Sequence, residues 1–156
     1  MSSLLPLPVR KLHPAAKLPA YAHGPDEDSG LDLCAVEAVT LPAGKWAAVP
    51  TGIAVEIPSG YEGQVRPRSG LAARHGIALL NAPGTIDPGY RGEIKVLLIN
   101  HSEEDFRIEA GDRIAQLVIA AYARVACRWE EALSESERGE GGFGSTGRQG
   151  LKQGAG

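Results

Sequence analysis

Glycine and proline recur so often along this chain that a long helix has no room to run. Twenty glycines and eleven prolines cut it into short apolar stretches with a turn signal roughly every ten residues, the pattern of an all-β sandwich or barrel. In two stretches the apolar residues alternate strictly: Ile53, Val55 and Ile57 about Ala54 and Glu56, then Ile94, Val96 and Leu98. Each predicts a strand with one core-facing side. Residues 9–12, 45–49, 62–66, 77–80, 106–109 and 125–129 are further strand candidates. Residues 71–75 predict one short helical turn, closed by Gly76 as a C-terminal cap.

One segment runs against this reading. Ile114, Leu117, Val118, Ala121, Tyr122 and Val125 fall at helical spacing, and Asp112 stands where an N-cap would. The β-rich punctuation on both sides argues for a strand instead. After Leu133 the composition changes: 134–156 is rich in glycine, with Phe143 and Leu151 as its large apolar side chains. Such a tail cannot build a core. The expected organisation is a β domain over 1–133 followed by a flexible C-terminal arm over 134–156.

A chain of 156 residues has the common size of a single domain and can bury a core without staples. Its formal net charge of −3 provides no basic field for a nucleic acid polymer or an acidic membrane surface. Any anion must be met by local cations. Cys34 and Cys127 lie in apolar surroundings without metal-type spacing, which predicts buried, reduced thiols and a cytoplasmic setting. The N-terminal apolar pieces are interrupted by Pro6, Pro8 and Pro14, matching neither a signal peptide nor a membrane span.

Five separated segments carry chemistry. In Ser29-Gly30-Leu31-Asp32-Leu33 an acid stands between two leucines at a strand start; alone, Asp32 reads better as a turn or capping residue than as a ligand group. Pro67-Arg68-Ser69-Gly70-Leu71-Ala72 offers a guanidinium, a hydroxyl and backbone N–H groups that can converge on one anion, or else a surface turn. The third runs from Asn81-Ala82-Pro83 through Gly84-Thr85-Ile86-Asp87-Pro88-Gly89-Tyr90 to Lys95. It sets a carboxylate and a phenol in a turn feeding a strand, although Asp-Pro-Gly by itself is also ordinary turn chemistry. In Gly111-Asp112-Arg113-Ile114-Ala115-Gln116-Leu117 the Gln116 amide sits among apolar residues, as a satisfied core group or a ligand contact. The fifth, 138–147, holds Arg138, Phe143, Gly144, Ser145 and Thr146. It reads as a solvated linker or as a lid whose aromatic stacks on a base while the arginine and hydroxyls hold phosphate.

In this order the five segments resemble the five motifs of the trimeric dUTP diphosphatase (dUTPase) family, over roughly residues 9–147. The resemblance implies a jelly-roll-like β fold, supports the strand reading of 114–125, and implies a homotrimer with three active sites at subunit interfaces. The first, second and fourth motifs would come from one subunit, the third from another, and the fifth from an arm of the remaining one.

The implied reaction is hydrolysis of dUTP to dUMP and pyrophosphate, which limits uracil incorporation into DNA and supplies dUMP for thymidylate synthesis. Asp87 would orient and deprotonate the water that attacks the α-phosphorus. Mg²⁺ would be held mainly by the triphosphate, with Asp32 binding it through water. Arg68, Ser69, Gly70 and Gln116 would bind phosphate oxygens, joined by Arg138, Gly144, Ser145 and Thr146, with Phe143 stacking on the base. A hairpin over 81–95, including Asn81, Gly84, Thr85, Ile86 and Lys95, would read uracil largely through main-chain groups. Tyr90 would pack under the deoxyribose and exclude a 2′-hydroxyl. The related dCTP deaminases carry a catalytic Glu and an Arg where this chain has Leu97 and Ala73, so deamination lacks its base. The competing reading is a catalytically silent trimeric β module that binds nucleotides or a protein partner; it needs neither a water-activating carboxylate nor a lid.

Overall fold

The computed structural model describes residues 4–148, and the last part of the predicted arm, Leu151 included, lies outside the described residues. Strands form where the turn signals delimit them: β1 (Val9–Lys11), β2 (Leu31–Cys34), β3 (Val39–Leu41), β4 (Trp46–Pro50), β5 (Ile53–Val55), β6 (Tyr61–Arg66), β7 (Ile77–Leu79), β8 (Gly84–Ile86), β9 (Lys95–Asn100), β10 (Phe106–Ile108) and β11 (Arg113–Ala121). The single helix among the described residues, α1 (Ser69–His75), ends on Gly76 at φ 66°, a left-handed cap that a residue with a side chain adopts only at a cost. All pairings between strands are antiparallel. The sheets run β2-β11-β6-β8 and β4-β9-β7, with two-stranded ladders β1-β5 and β3-β10 beside them.

The region with helical spacing is strand β11. It lies between β2 and β6, and Ile114, Ala115, Leu117 and Val118 are all buried. Successive strand residues point to opposite faces, so this strand is covered on both, and the alternation that would have marked it is absent. Asp112 caps no helix; its carboxylate accepts from the Glu109 N–H at 2.8 Å.

Core side chains from every sheet meet in one cluster, with Leu33, Leu41, Val49, Ile57, Ile77, Ile94, Leu98, Ile108 and Leu117 among its buried members. Gly63 of β6 faces Ile86 of β8 at a closely packed point of the core. A β-carbon on Gly63 would come to 2.8 Å from Ile57 Cδ1, 3.0 Å from Leu117 Cδ1 and 3.1 Å from Ile86 Cβ.

Contacts divide the chain into two units, Met1–Arg124 and Val125–Gly156. The expected strand over 125–129 is corrected: these residues carry no strand, and Val125 and Trp129 are exposed. A strand exists only where a neighbour accepts and donates its backbone hydrogen bonds, and this segment has no such neighbour among the described residues. The buried state expected for both thiols fails for Cys127, which is exposed in this same segment; both cysteines are free.

Candidate active site

Residues 81–95 were expected to fold back as a hairpin, and they do not. β8 pairs with β6 while β9 pairs with β4 and β7, so the segment crosses from the four-stranded sheet to the three-stranded one. Where the two sheets part, a cavity of about 470 Å³ opens. It gathers Asn81, Gly84, Thr85, Ile86, Asp87, Tyr90 and Lys95, every candidate of the third segment, and adds Val65, Leu79, Glu93 and Leu97. Asp87 stands at the end of β8 on an exposed turn. Its carboxylate makes no hydrogen bond or ion pair among the described residues, so it remains available to a ligand or water.

The turn itself is braced. Arg91 donates from Nη1 to the Pro88 carbonyl at 2.6 Å and the Tyr90 carbonyl at 3.1 Å. The Tyr90 N–H donates to the Asp87 carbonyl at 3.0 Å, and the Tyr90 hydroxyl donates to the Glu93 carbonyl at 2.8 Å.

A second cavity, of about 330 Å³, is polar and unites candidates from three segments: Asp32 from β2, Arg68, Ser69 and Gly70 at the start of α1, and Gln116 from β11. The sheet order explains the meeting, since Asp32 and Gln116 are register partners on β2 and β11, and Gln116 pairs with Arg66 on the other side. Gln116 donates from Nε2 to the Pro67 carbonyl at 2.9 Å, which fixes the amide. A side chain on Gly30 would run into the Gln116 side-chain oxygen and push the amide from its place.

Asp32 differs from Asp87 in being engaged. Its carboxylate lies 3.5 Å from Arg68 Nε and 3.2 Å from Arg113 Nη1, and Arg68 also donates to the Arg113 carbonyl at 3.3 Å. Arg113 had no role in the sequence reading, although the fourth segment contains it. Glu27 and Asp28, also on this cavity, were missed as well, because an acidic run in a loop reads as a solvated surface. The Asp28 carboxylate accepts from the His23 N–H at 2.6 Å, and that bond, ahead of the His23 ring, holds its pKa below the ordinary carboxylate range. The carboxylates give this cavity hard oxygen donors suited to Mg²⁺. Among the described residues no group of three or more His, Cys, Asp or Glu converges to hold a metal ion. Cys34, half-buried, has its thiol pKa pushed up by burial, against the nearby cation Lys17.

Taken by itself, the second unit is a series of tight turns. Arg138 donates from Nε to the Gly141 carbonyl at 2.6 Å, the Ser145 N–H donates to the Gly142 carbonyl at 3.1 Å, and Phe143 is fully exposed. Gly144 and Thr146 lie in the same turns.

The sequence model of the family described as dUTPase matches residues 16–147. The chain is 52% identical over 149 residues to the deoxyuridine 5′-triphosphate nucleotidohydrolase of Solibacter usitatus, covering 95% of this chain and 100% of that one. It is 55% identical over 141 residues to the enzyme of the same name from Gloeothece citriformis, covering 90% and 96%. Among solved structures, the dUTPase of Staphylococcus bacteriophage 80alpha with dUPNHPP superposes with a TM-score of 0.85 at 32% identity, over 91% of this chain and 98% of that one. A mutant dUTPase from phage phi11 of S. aureus, described as revealing the coordination of a structural Mg(II) ion, superposes at 0.75 and 27% identity, over 82% and 98%. The expected jelly-roll-like β architecture with one short helix therefore holds.

Proposed function

This chain belongs to the dUTPase family and carries its dUTP diphosphatase activity, and from that premise we propose how its residues divide the reaction. The observation that carries the proposal is the cavity between the parting sheets, where an unengaged carboxylate, Asp87, lies beside Tyr90 and Lys95. In that cavity the backbone of 81–95 reads the uracil edge. Cytosine reverses two of its donor and acceptor groups, and the partners left unpaired make it a poor substrate.

Asp87 accepts a proton from a water whose oxygen attacks the α-phosphorus. The bond from that phosphorus to the oxygen bridging to the β-phosphate breaks, pyrophosphate leaves, and dUMP remains. A positioned base of this kind contributes about 10² to 10⁴ in rate, and the remainder comes from holding the chain of phosphates in line. Arg68, Ser69, Gly70 and Gln116 supply that grip. Mg²⁺ carried by the triphosphate would supply charge neutralisation there, and Asp32 would hold it through water. Tyr90 packs under the deoxyribose and leaves no space for a 2′-hydroxyl.

The two cavities are distinct within one chain, which supports a homotrimer in which Asp87 of one copy faces the Arg68 cavity of another. The arm over 134–147 closes on the bound nucleotide, Phe143 on the base and Arg138, Gly144, Ser145 and Thr146 on phosphate. In the cell such a reaction keeps uracil out of DNA and delivers dUMP for thymidylate synthesis, in a cytoplasmic setting.

Incubation with dUTP, dCTP, dTTP and UTP, each with Mg²⁺ and with a chelator in its place, tests the reading. Pyrophosphate is expected from dUTP with Mg²⁺, at a rate far above the other nucleotides. Nucleotide binding without pyrophosphate release would instead favour a silent binding module.

A further inference from the structure

Tyr90 does not project freely from its turn. Its hydroxyl reaches back to the Glu93 carbonyl at 2.8 Å, which lays the ring across Gly92. A β-carbon on Gly92 would stand 2.5 Å from the Tyr90 hydroxyl oxygen, 2.6 Å from Cζ and 3.0 Å from Cε2. All three atoms belong to one edge of one ring, and no backbone atom is among them. Gly92 is also absent from the residues with positive φ, so its own conformation suits any residue. The ring, rather than the backbone, is what requires glycine here.

The acceptor of the phenol is itself anchored. The Thr51 N–H and hydroxyl both donate to the Ile94 carbonyl, at 3.2 and 2.5 Å, and the Ile94 N–H donates to the Ile53 carbonyl at 2.8 Å. The Gly52 N–H donates to the Glu93 carboxylate at 3.1 Å. Thr51 is 2% exposed, so this corner between β4 and β5 is part of the core and fixes Glu93 from outside the turn.

We propose that Gly92 is the seat of the sugar gate: a positioning residue that holds the Tyr90 ring flat on the turn, with the Glu93 carbonyl as its latch and the Thr51–Gly52 corner as the latch's anchor. The proposal rests on the reading of Tyr90 as the group that excludes a 2′-hydroxyl. Discrimination between dUTP and UTP then depends on the seat as well as on the tyrosine. A methyl group at position 92 drives the ring back by about 1 Å to regain ordinary contact, breaks the latch and leaves the backbone undisturbed.

The test is the ratio of kcat/KM for UTP to that for dUTP in Gly92→Ala, Tyr90→Ala and the double variant, with Tyr90→Phe to remove the latch while keeping the ring. Gly92→Ala is expected to melt with the unaltered chain and to raise the ratio about tenfold, and Tyr90→Phe about threefold, the effect of one neutral hydrogen bond. In the Tyr90→Ala background Gly92→Ala adds nothing, because it acts through the ring. An unchanged or lowered ratio in Gly92→Ala, or the same rise without the tyrosine ring, overturns the seat. Should Gly92→Ala not fold, the Tyr90→Phe ratio decides: a value equal to the unaltered chain's overturns the latch. Failure of the underlying reading looks different, since Tyr90→Ala would then leave the ratio where it was, or the unaltered chain would release no pyrophosphate from dUTP.

Discussion

Asp87 and Asp32 occupy cavities built on opposite plans. Around Asp87 the cavity mixes apolar residues of the sheets with Asn81, Thr85, Tyr90, Glu93 and Lys95, Arg91 braces the turn through the Pro88 and Tyr90 carbonyls, and the carboxylate itself is unengaged among the described residues. Around Asp32 the side chains already answer one another: Arg68 and Arg113 flank the carboxylate, and Gln116 is held by Pro67. The first cavity is framed by braced backbone, as the proposed selection of a base and sugar would require. The second sets Glu27, Asp28 and Asp32 around Arg68, with Arg113 against Asp32, so a phosphate bound by Arg68 would have to displace Asp32 from it. A free carboxylate suits the proposed base, whereas Asp32 is occupied by the arginines it steadies.

Removing the free carboxylate has the largest expected effect. Asp87→Asn lowers dUTP turnover by about 10² to 10⁴ while a non-hydrolysable dUTP analogue still binds, as isothermal titration can report. Retained turnover would collapse the contrast between the two aspartates. Next, Asp87→Asn chains mixed with Arg68→Ala chains, each nearly inactive alone, should regain activity in about a quarter of the sites if subunits assort at random and each site takes Asp87 and Arg68 from different copies. No recovery after unfolding and refolding the mixture would place both cavities' contributions within one chain. The smallest effect belongs to Arg113→Gln. Exposed ion pairs contribute about 0.2–1 kcal/mol, so KM for dUTP should rise about 1.4-fold to fivefold, with Arg113→Lys restoring much of it. A loss as large as that of Asp87→Asn would mean that Arg113 contacts substrate directly.

The same contrast governs how much could be read in advance. The candidates of 81–95 were legible because one continuous segment carries them, and the cavity contains all of them. The second cavity is assembled by sheet order, and nothing in the spacing of Asp32, Arg68 and Gln116 announces that β2, β11 and β6 are neighbours. The resemblance grouped them; Arg113, Glu27 and Asp28 needed coordinates. Strands with one covered face, such as β9, were visible as alternation. β11, covered on both, imitated a helix, and 125–129 imitated a strand because a side-chain pattern does not record whether the backbone finds a partner. The hairpin expected over 81–95 failed for a related reason: a turn sequence fixes a change of direction, not the sheet that the chain joins next.

Gly63 has no chemical task of its own, and still it limits what this protein can become. The three apolar atoms around its missing side chain belong to Ile57, Leu117 and Ile86, so a single added methyl has to displace packed core at about 1–3 kcal/mol. Ile86 precedes Asp87 directly, and any such displacement is passed to the carboxylate as a change of aim. A library of random substitutions should therefore find position 63 as barren as position 87, one for want of space and the other for want of a carboxylate. Melting curves would tell the two kinds of failure apart.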